Sequence, residues 1–495
     1  MRVVAFKLPV VLKAGTLACL LLGGSFIRAL FRAGEIEPPI LSANALVGKA
    51  AAPSPNAFFV PFVVEDSDFY TNLGLNNLSD SRATVKVSLA DRQGFEVSSR
   101  RVSIPPLGML QINHIVSYLT NEPAMTDAGY LILEGDQDIR GWASLIDRHS
   151  LDPSLMLASS KTASQVLILS SVASARYTSR LIVLNASSSE GTVKISIRDA
   201  EGRVMASQDG LAMKANGLLH FSDIYESMGI GAGRVAGVFG PIEIEASDSI
   251  QIQAVLHVRS SDHTGGFLAG VNLQRGARDP MLPYAVDSAD FRYNLGLNNP
   301  GRLPARITLR LTGPDGIERG SSQFLLPPNS LTQLNDALRL LAGEGFREGW
   351  IRAAADQDIF AWGSLIDNHT QDPALTIAES RGATKWLIPS ATSAGNFKSN
   401  VAVANLDASA ASVRLRARNA EGAVILSTTL DLPGSGMLLF QNILEALGMA
   451  GQFGPLEITS LNGTPLIAAS QVLSQQRTGS AFQAFPWSRT AVYFI

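Results

Sequence analysis

Two clusters in this chain hold chemically active residue types at close spacing. Asp147, His149 and Asp152 fall close together, and Asp367, His369 and Asp372 repeat them at the same intervals. Two carboxylates and an imidazole could together ligate a cation. Calcium takes oxygen ligands, however, and the glycine-bearing multi-Asp pattern of a calcium loop is missing. Zinc wants a third nitrogen or a sulfur. Each cluster follows a run ending in Ile-Asp and closes on Asp-Pro, at Asp152-Pro153 and Asp372-Pro373. Aspartate accepts bonds from nearby backbone N–H groups, and proline stops strand pairing. The expectation is a structural corner. These six residues are the candidate metal ligands, and no catalytic, cofactor or metal site is assigned.

Other patterns carry less chemistry. Asp136 and Asp138, with their counterparts Asp356 and Asp358, could pair for acid–base work, but Gly135-Asp136-Gln137-Asp138 reads as a solvated hairpin turn. Asn76-Asn77 and Asn298-Asn299 could meet sugar hydroxyls, although a strand end whose amides bond backbone is the ordinary arrangement. Trp142 and Trp362 occupy matching positions and suit packing between sheets better than a sugar platform. Gly229-Ile230-Gly231-Ala232-Gly233 does not lie between a strand and a long helix, which excludes a dinucleotide loop. The phosphate-loop lysine, the nucleophile-elbow serine and His-Glu-x-x-His are absent.

The elements that must hold these residues are repeated. Phe69-Tyr70-Thr71-Asn72-Leu73-Gly74-Leu75-Asn76-Asn77 returns as Phe291-Arg292-Tyr293-Asn294-Leu295-Gly296-Leu297-Asn298-Asn299, with two residues changed. Ser144-Leu145-Ile146-Asp147 returns unchanged as Ser364-Leu365-Ile366-Asp367. Phe239-Gly240-Pro241-Ile242-Glu243-Ile244 returns as Phe453-Gly454-Pro455-Leu456-Glu457-Ile458. The order is A-B-A-B. Each repeat has an alternating strand followed by a turn ending at Gly94, Gly202, Gly316 or Gly422, and the near-even spacing of these glycines sets the repeat length. Glycine there supplies the positive φ of a bulged hairpin loop. Asn113, Asp223, Asp336 and Asn442 are positioned to cap one short helix per repeat. About seven strands fit the first repeat, at 58–64, 69–77, 83–90, 96–104, 108–114, 129–135 and 139–147. This predicts an all-β chain of four tandem immunoglobulin-like β-sandwiches, with a β-propeller as the alternative. The expected units are 58–160 (A1), 161–278 (B1), 279–383 (A2) and 384–495 (B2), each folding independently.

The 495 residues are 46% hydrophobic and 17% charged, with a net charge of −3, which excludes a disordered chain and a nucleic-acid footprint. The one cysteine, Cys19, lies in an apolar run from Ala14 to Ile27 behind Arg2, Lys7 and Lys13. Residues 1–45 therefore read as an export signal or N-terminal anchor, and 46–57 as a linker. Any membrane contact is expected through that segment alone.

The Asn72-to-Asn77 motif, the Pro105-Pro106 step and the Asp147…Asp152-Pro153 corner resemble tandem immunoglobulin-like or fibronectin-like repeats of secreted bacterial proteins, over residues 58 to 485. The resemblance implies an extracellular β module without a named activity. The B repeats depart from it, lacking the Asn-Asn pair and the Asp-Pro corner. The reading is an exported structural or adhesive surface protein and no enzyme, meeting a cell-surface protein or glycan outside the cell, with the periplasm as the other destination. A secreted carbohydrate- or substrate-binding accessory protein is the alternative, and a hydrolase with a site between repeats the third reading.

Overall fold

The computed structural model describes residues 51, 53–54, 56–121, 125–231 and 237–487. The signal or anchor at 1–45 and part of the linker lie outside the described residues. In the first repeat the chain forms β1 (Phe58–Glu65), β2 (Phe69–Asn77), β3 (Ala83–Ala90), β4 (Glu96–Ile104), β5 (Met109–Ile112), the helix α1 (Ile115–Thr120), β6 (Met125–Gly135), β7 (Ile139–Asp147) and β8 (Pro153–Leu157). One antiparallel sheet has the order β1-β6-β3-β4 and the other β5-β2-β7-β8. The next three repeats reuse this topology, and each B repeat adds a two-residue edge strand. The all-β sandwich expectation holds, and a propeller does not fit eight sheets paired in this way.

Two local readings change. Eight strands stand where seven are expected, because Asp152-Pro153 starts a strand instead of ending one. Pro153 pairs with Ile146 as the first residue of the edge strand β8, where a missing N–H breaks no ladder. The helix caps also differ. Asp223 does accept bonds from Tyr225 N and Glu226 N. In the other repeats the cap residue is His114, Asp336 or Asn442, in the left-handed region without a side-chain cap bond. There the backbone N–H of that residue donates to Asn72 Oδ1, Asn294 Oδ1 or Asn400 Oδ1 on the neighbouring strand, at 3.0–3.2 Å. Arg180 stands in place of that asparagine in B1, so Asp223 supplies its own cap.

The repeats close into a ring. The turn before Gly94 presents Arg92 O to Leu218 N of B1 at 2.9 Å. Ala200 O of B1 accepts from Leu331 N of A2 at 2.9 Å, and Pro314 O of A2 from Met437 N of B2 at 3.0 Å. Ala420 O of B2 then accepts from Met109 N of A1 at 2.9 Å, joining the last repeat to the first. The four turn glycines have φ between 80° and 88°. Each abuts a carbonyl of the next repeat: a Cβ would lie 2.0–2.7 Å from Ala215 O, Asn329 O, Gly434 O or Pro106 O. Glycine therefore serves both the turn and the docking.

The inner sheets are buried on both faces. Along β7 every residue but Arg140 is buried, and the whole of Phe360–Asp367 is. Leu73 and Leu75 fill the A1 core, while Gly74 on the opposite face leaves room for Trp142 across the sheet. Trp142 packs with Met109, Leu155 and Val472 at the A1–B2 seam, and Trp362 packs into the B1 core. Both tryptophans are thus seam residues. Asn76 Nδ2 donates to Pro389 O of B2, and Asn298 Nδ2 to Leu169 O of B1, each at 2.8 Å. Asn77 and Asn299 bind backbone carbonyls of their own repeat.

Candidate functional site

The innermost edge strands, β8, Gly265–Ala269, Pro373–Ile377 and Gly479–Gln483, touch one another in cyclic order around the ring axis. Each is entered through a corner with one residue in the left-handed region: Leu151, His263, Gln371 and Arg477, at φ 60–66°. The two candidate clusters, far apart in sequence, therefore meet at one end of this axis. Between the corners lies a mouth of about 400 Å³, lined by His149, Ser150, Arg176, Asp262, His369 and Gln476, with Thr264, Thr370 and Thr478. All four repeats contribute to it.

The corner carboxylates divide their two oxygens. Asp147 Oδ1 accepts from His149 N and Ser150 N at 2.8 and 3.2 Å, while Oδ2 faces Arg259 at 3.1 Å and His263 Nδ1 at 3.3 Å. Asp367 Oδ1 accepts from His369 N and Thr370 N, and Oδ2 faces the Arg477 guanidinium at 2.8 Å. One oxygen shapes the turn and the other ties an A repeat to a B repeat. His149 Nε2 points to Asp68 Oδ1 at 3.3 Å and His369 Nε2 to Asp290 Oδ1 at 3.1 Å. The imidazoles thus stand on the mouth wall, turned toward their own repeats. Among the described residues no group of three or more His, Cys, Asp or Glu is arranged to hold a metal ion.

Asp152 and Asp372 lie deeper and are buried. Asp152 Oδ2 accepts from Gly265 N at 2.8 Å and Asp372 Oδ2 from Gly479 N at 2.6 Å. Oδ1 of each has no donor among the described residues. Nearby hydroxyls are committed elsewhere: Ser150 Oγ donates to His263 O and Thr370 Oγ1 to Arg477 O. A nucleophile needs its base within hydrogen-bond reach, and these hydroxyls address carbonyls instead.

The B-repeat half of the mouth escapes the sequence reading. Ser260-Ser261-Asp262-His263-Thr264-Gly265 and Ser474-Gln475-Gln476-Arg477-Thr478-Gly479 are the counterparts of the Asp-Pro corners, with serine in place of the first aspartate. Ser260 Oγ accepts from Asp262 N and Thr264 N, and Ser474 Oγ from Gln476 N and Thr478 N. The shared Ser-x-x-x-Thr-Gly spacing is the available signal.

These features define an all-β protein of tandem sheets. No family model matches the chain, and no curated protein does. Among solved structures, Thermotoga maritima 1070 aligns with 21% of this chain and 95% of its own, at 18% identity and a TM-score of 0.19. A tetra-tandem repeat from the extending region of a large adhesion protein aligns with 85% of this chain and 95% of its own, at 11% identity and a TM-score of 0.11. An α-L-rhamnosidase from Streptomyces avermitilis aligns with 91% of this chain and 57% of its own, at 8% identity and a TM-score of 0.13. Likeness at this level carries no argument about what the chain binds.

Proposed function

We propose that the chain is an exported, non-catalytic surface protein, adhesive in kind, whose recognition site is the axial mouth. The observation that carries this is the lining: hydroxyls, one amide, two imidazoles and the Arg176–Asp262 pair, supplied by all four repeats. A concave site with several convergent polar groups is where a ligand is held. This lining suits a small hydroxyl-rich group, such as the end of a cell-surface glycan. The apolar run behind basic residues supports export. The linker residue Ala51 sits at the A1–B1 seam, where Ala51 N donates to Gly94 O and Asn216 Nδ2 donates to Ala51 O. An anchor there would tether the ring by that seam.

A glycan array probed with the full chain, and with a His149→Ala/Gln476→Ala variant, tests the reading. Binding lost in the variant supports it. Binding retained, or no glycan bound by the wild type, counts against it. Turnover of ester, glycoside or peptide substrates would replace it with the hydrolase reading.

A further inference from the structure

We propose that Asp152 and Asp372 share a single proton across the ring axis, and that this proton fastens the two A repeats to each other. The inference goes beyond the binding reading and holds whatever the mouth receives.

The geometry sets the problem. Each carboxyl has one oxygen on a glycine N–H of a B repeat and the other without a donor among the described residues. Gly265 N–H holds Asp152, and a Cβ on the next residue, Gly266, would lie 2.7 Å from the carbonyl oxygen of Pro373, beside Asp372, so the two buried carboxyls are brought close together. Two carboxylates offer each other only acceptors, and two buried like charges repel at low dielectric. A proton on one converts this approach into a charge-assisted O–H···O bond and removes one buried charge. The energetics agree. Burial and the neighbouring carboxylate raise Asp152 well above the ordinary range. Burial also raises Asp372, to about 8, against the lowering pull of the Gly479 N–H. The proton belongs to the pair and not to either residue.

The sign follows from linkage. A carboxyl whose pKa rises on folding leaves the folded state holding more protons than the unfolded one. Its stabilising contribution is complete below the ordinary carboxylate range and is lost as pH rises through about 8. Other titratable groups face the pair: Asp147 and His149 from A1, Asp367 and His369 from A2, Arg259, Asp262, His263 and Tyr177 from B1, and Arg477 from B2. Each variant changes one member of the pair and leaves these groups in place, so the comparison bears on the shared proton.

The test is urea unfolding of the full chain from about pH 5 to 9, in EDTA, for wild type, Asp152→Asn and Asp372→Asn. An amide can donate the bond without a titratable proton. The wild-type unfolding constant should rise relative to either variant by up to about tenfold per pH unit between about pH 5 and 8. Parallel pH profiles would overturn the proposal. So would a wild-type midpoint restored by added Ca²⁺ after EDTA, because a cation would then occupy the gap. Infrared difference spectra provide the readout should both variants fail to fold. A protonated carboxyl band in wild type at neutral pH is expected, and its absence overturns the proposal.

Discussion

Closure of the ring brings B2 onto A1 at Gly422, and this glycine offers the sharpest way to test it. Its φ of +85° lies in the left-handed region, where a side chain costs about 1–2 kcal/mol. A Cβ at Gly422 would also stand 2.0 Å from Pro106 O and 3.0 Å from Gly108 N, both backbone atoms of A1. Backbone cannot swing aside as a side-chain tip can, and overpacking of this kind costs about 1–3 kcal/mol. Gly422→Ala should therefore lose roughly 2–5 kcal/mol, or part the seam to relieve the clash. Gly448, in the same repeat, is the matched control, with φ +76° and nothing within 4 Å of an added Cβ. Gly448→Ala should lose only the strain, about 1–2 kcal/mol. Urea unfolding gives the energies, and small-angle scattering gives the radius of gyration. A larger loss in Gly422→Ala, or an expanded particle, is the expected result. If the two variants unfold together and scatter alike, the fourth repeat does not dock on the first as described.

Two further outcomes follow from the seams. A Cβ at Gly74 would lie 1.9 Å from the Trp142 indole, so Gly74→Ala should cost about 1–3 kcal/mol. In a Trp142→Leu background most of that loss should vanish, and a thermal double-mutant cycle showing simple additivity would contradict the packing. The A1 core includes Ile182, Leu184, Val255 and Phe267 of B1, so residues 58–160 alone should self-associate or melt without cooperativity, and a sharp reversible monomeric transition would contradict this.

The sandwich is legible in the sequence because its cues are local. Ala83, Val85, Val87 and Leu89 alternate with Thr84, Lys86 and Ser88, and burial follows that alternation through Val87. Positive φ at Gly94, Gly202, Gly316 and Gly422 is readable from turn position alone. The strand begun by Pro153 is not readable, because proline interrupts most ladders and only its place at an edge permits it here. Polar linkers suggest independent folding. Those linkers nevertheless join sandwiches whose apolar clusters cross the seams, as where Leu331, Phe360 and Trp362 of A2 enter the B1 core.

The axial site is hidden for a related physical reason. A strand buried on both faces ordinarily reads as a continuous apolar run. In β2 the face turned from the core carries Asn72, Gly74 and Asn76, which looks like a solvent face. Those residues are small or amide-bearing because they meet backbone and indole, and Asn76 spends its amide on Pro389 O. The recurrence of Asp-x-His-x-x-Asp has the same ambiguity. Read as duplication, each copy is an isolated corner whose ligand count is too small for a metal and whose histidine has no evident partner. Placed around an axis, the two copies come together, and Asp152 has, beside its Gly265 N–H, the Asp372 carboxyl as a neighbour that its burial tolerates provided a proton lies between them. Identical polar residues in repeats that close on themselves are therefore candidates for mutual contact, and that criterion links the two corners before any coordinates are known.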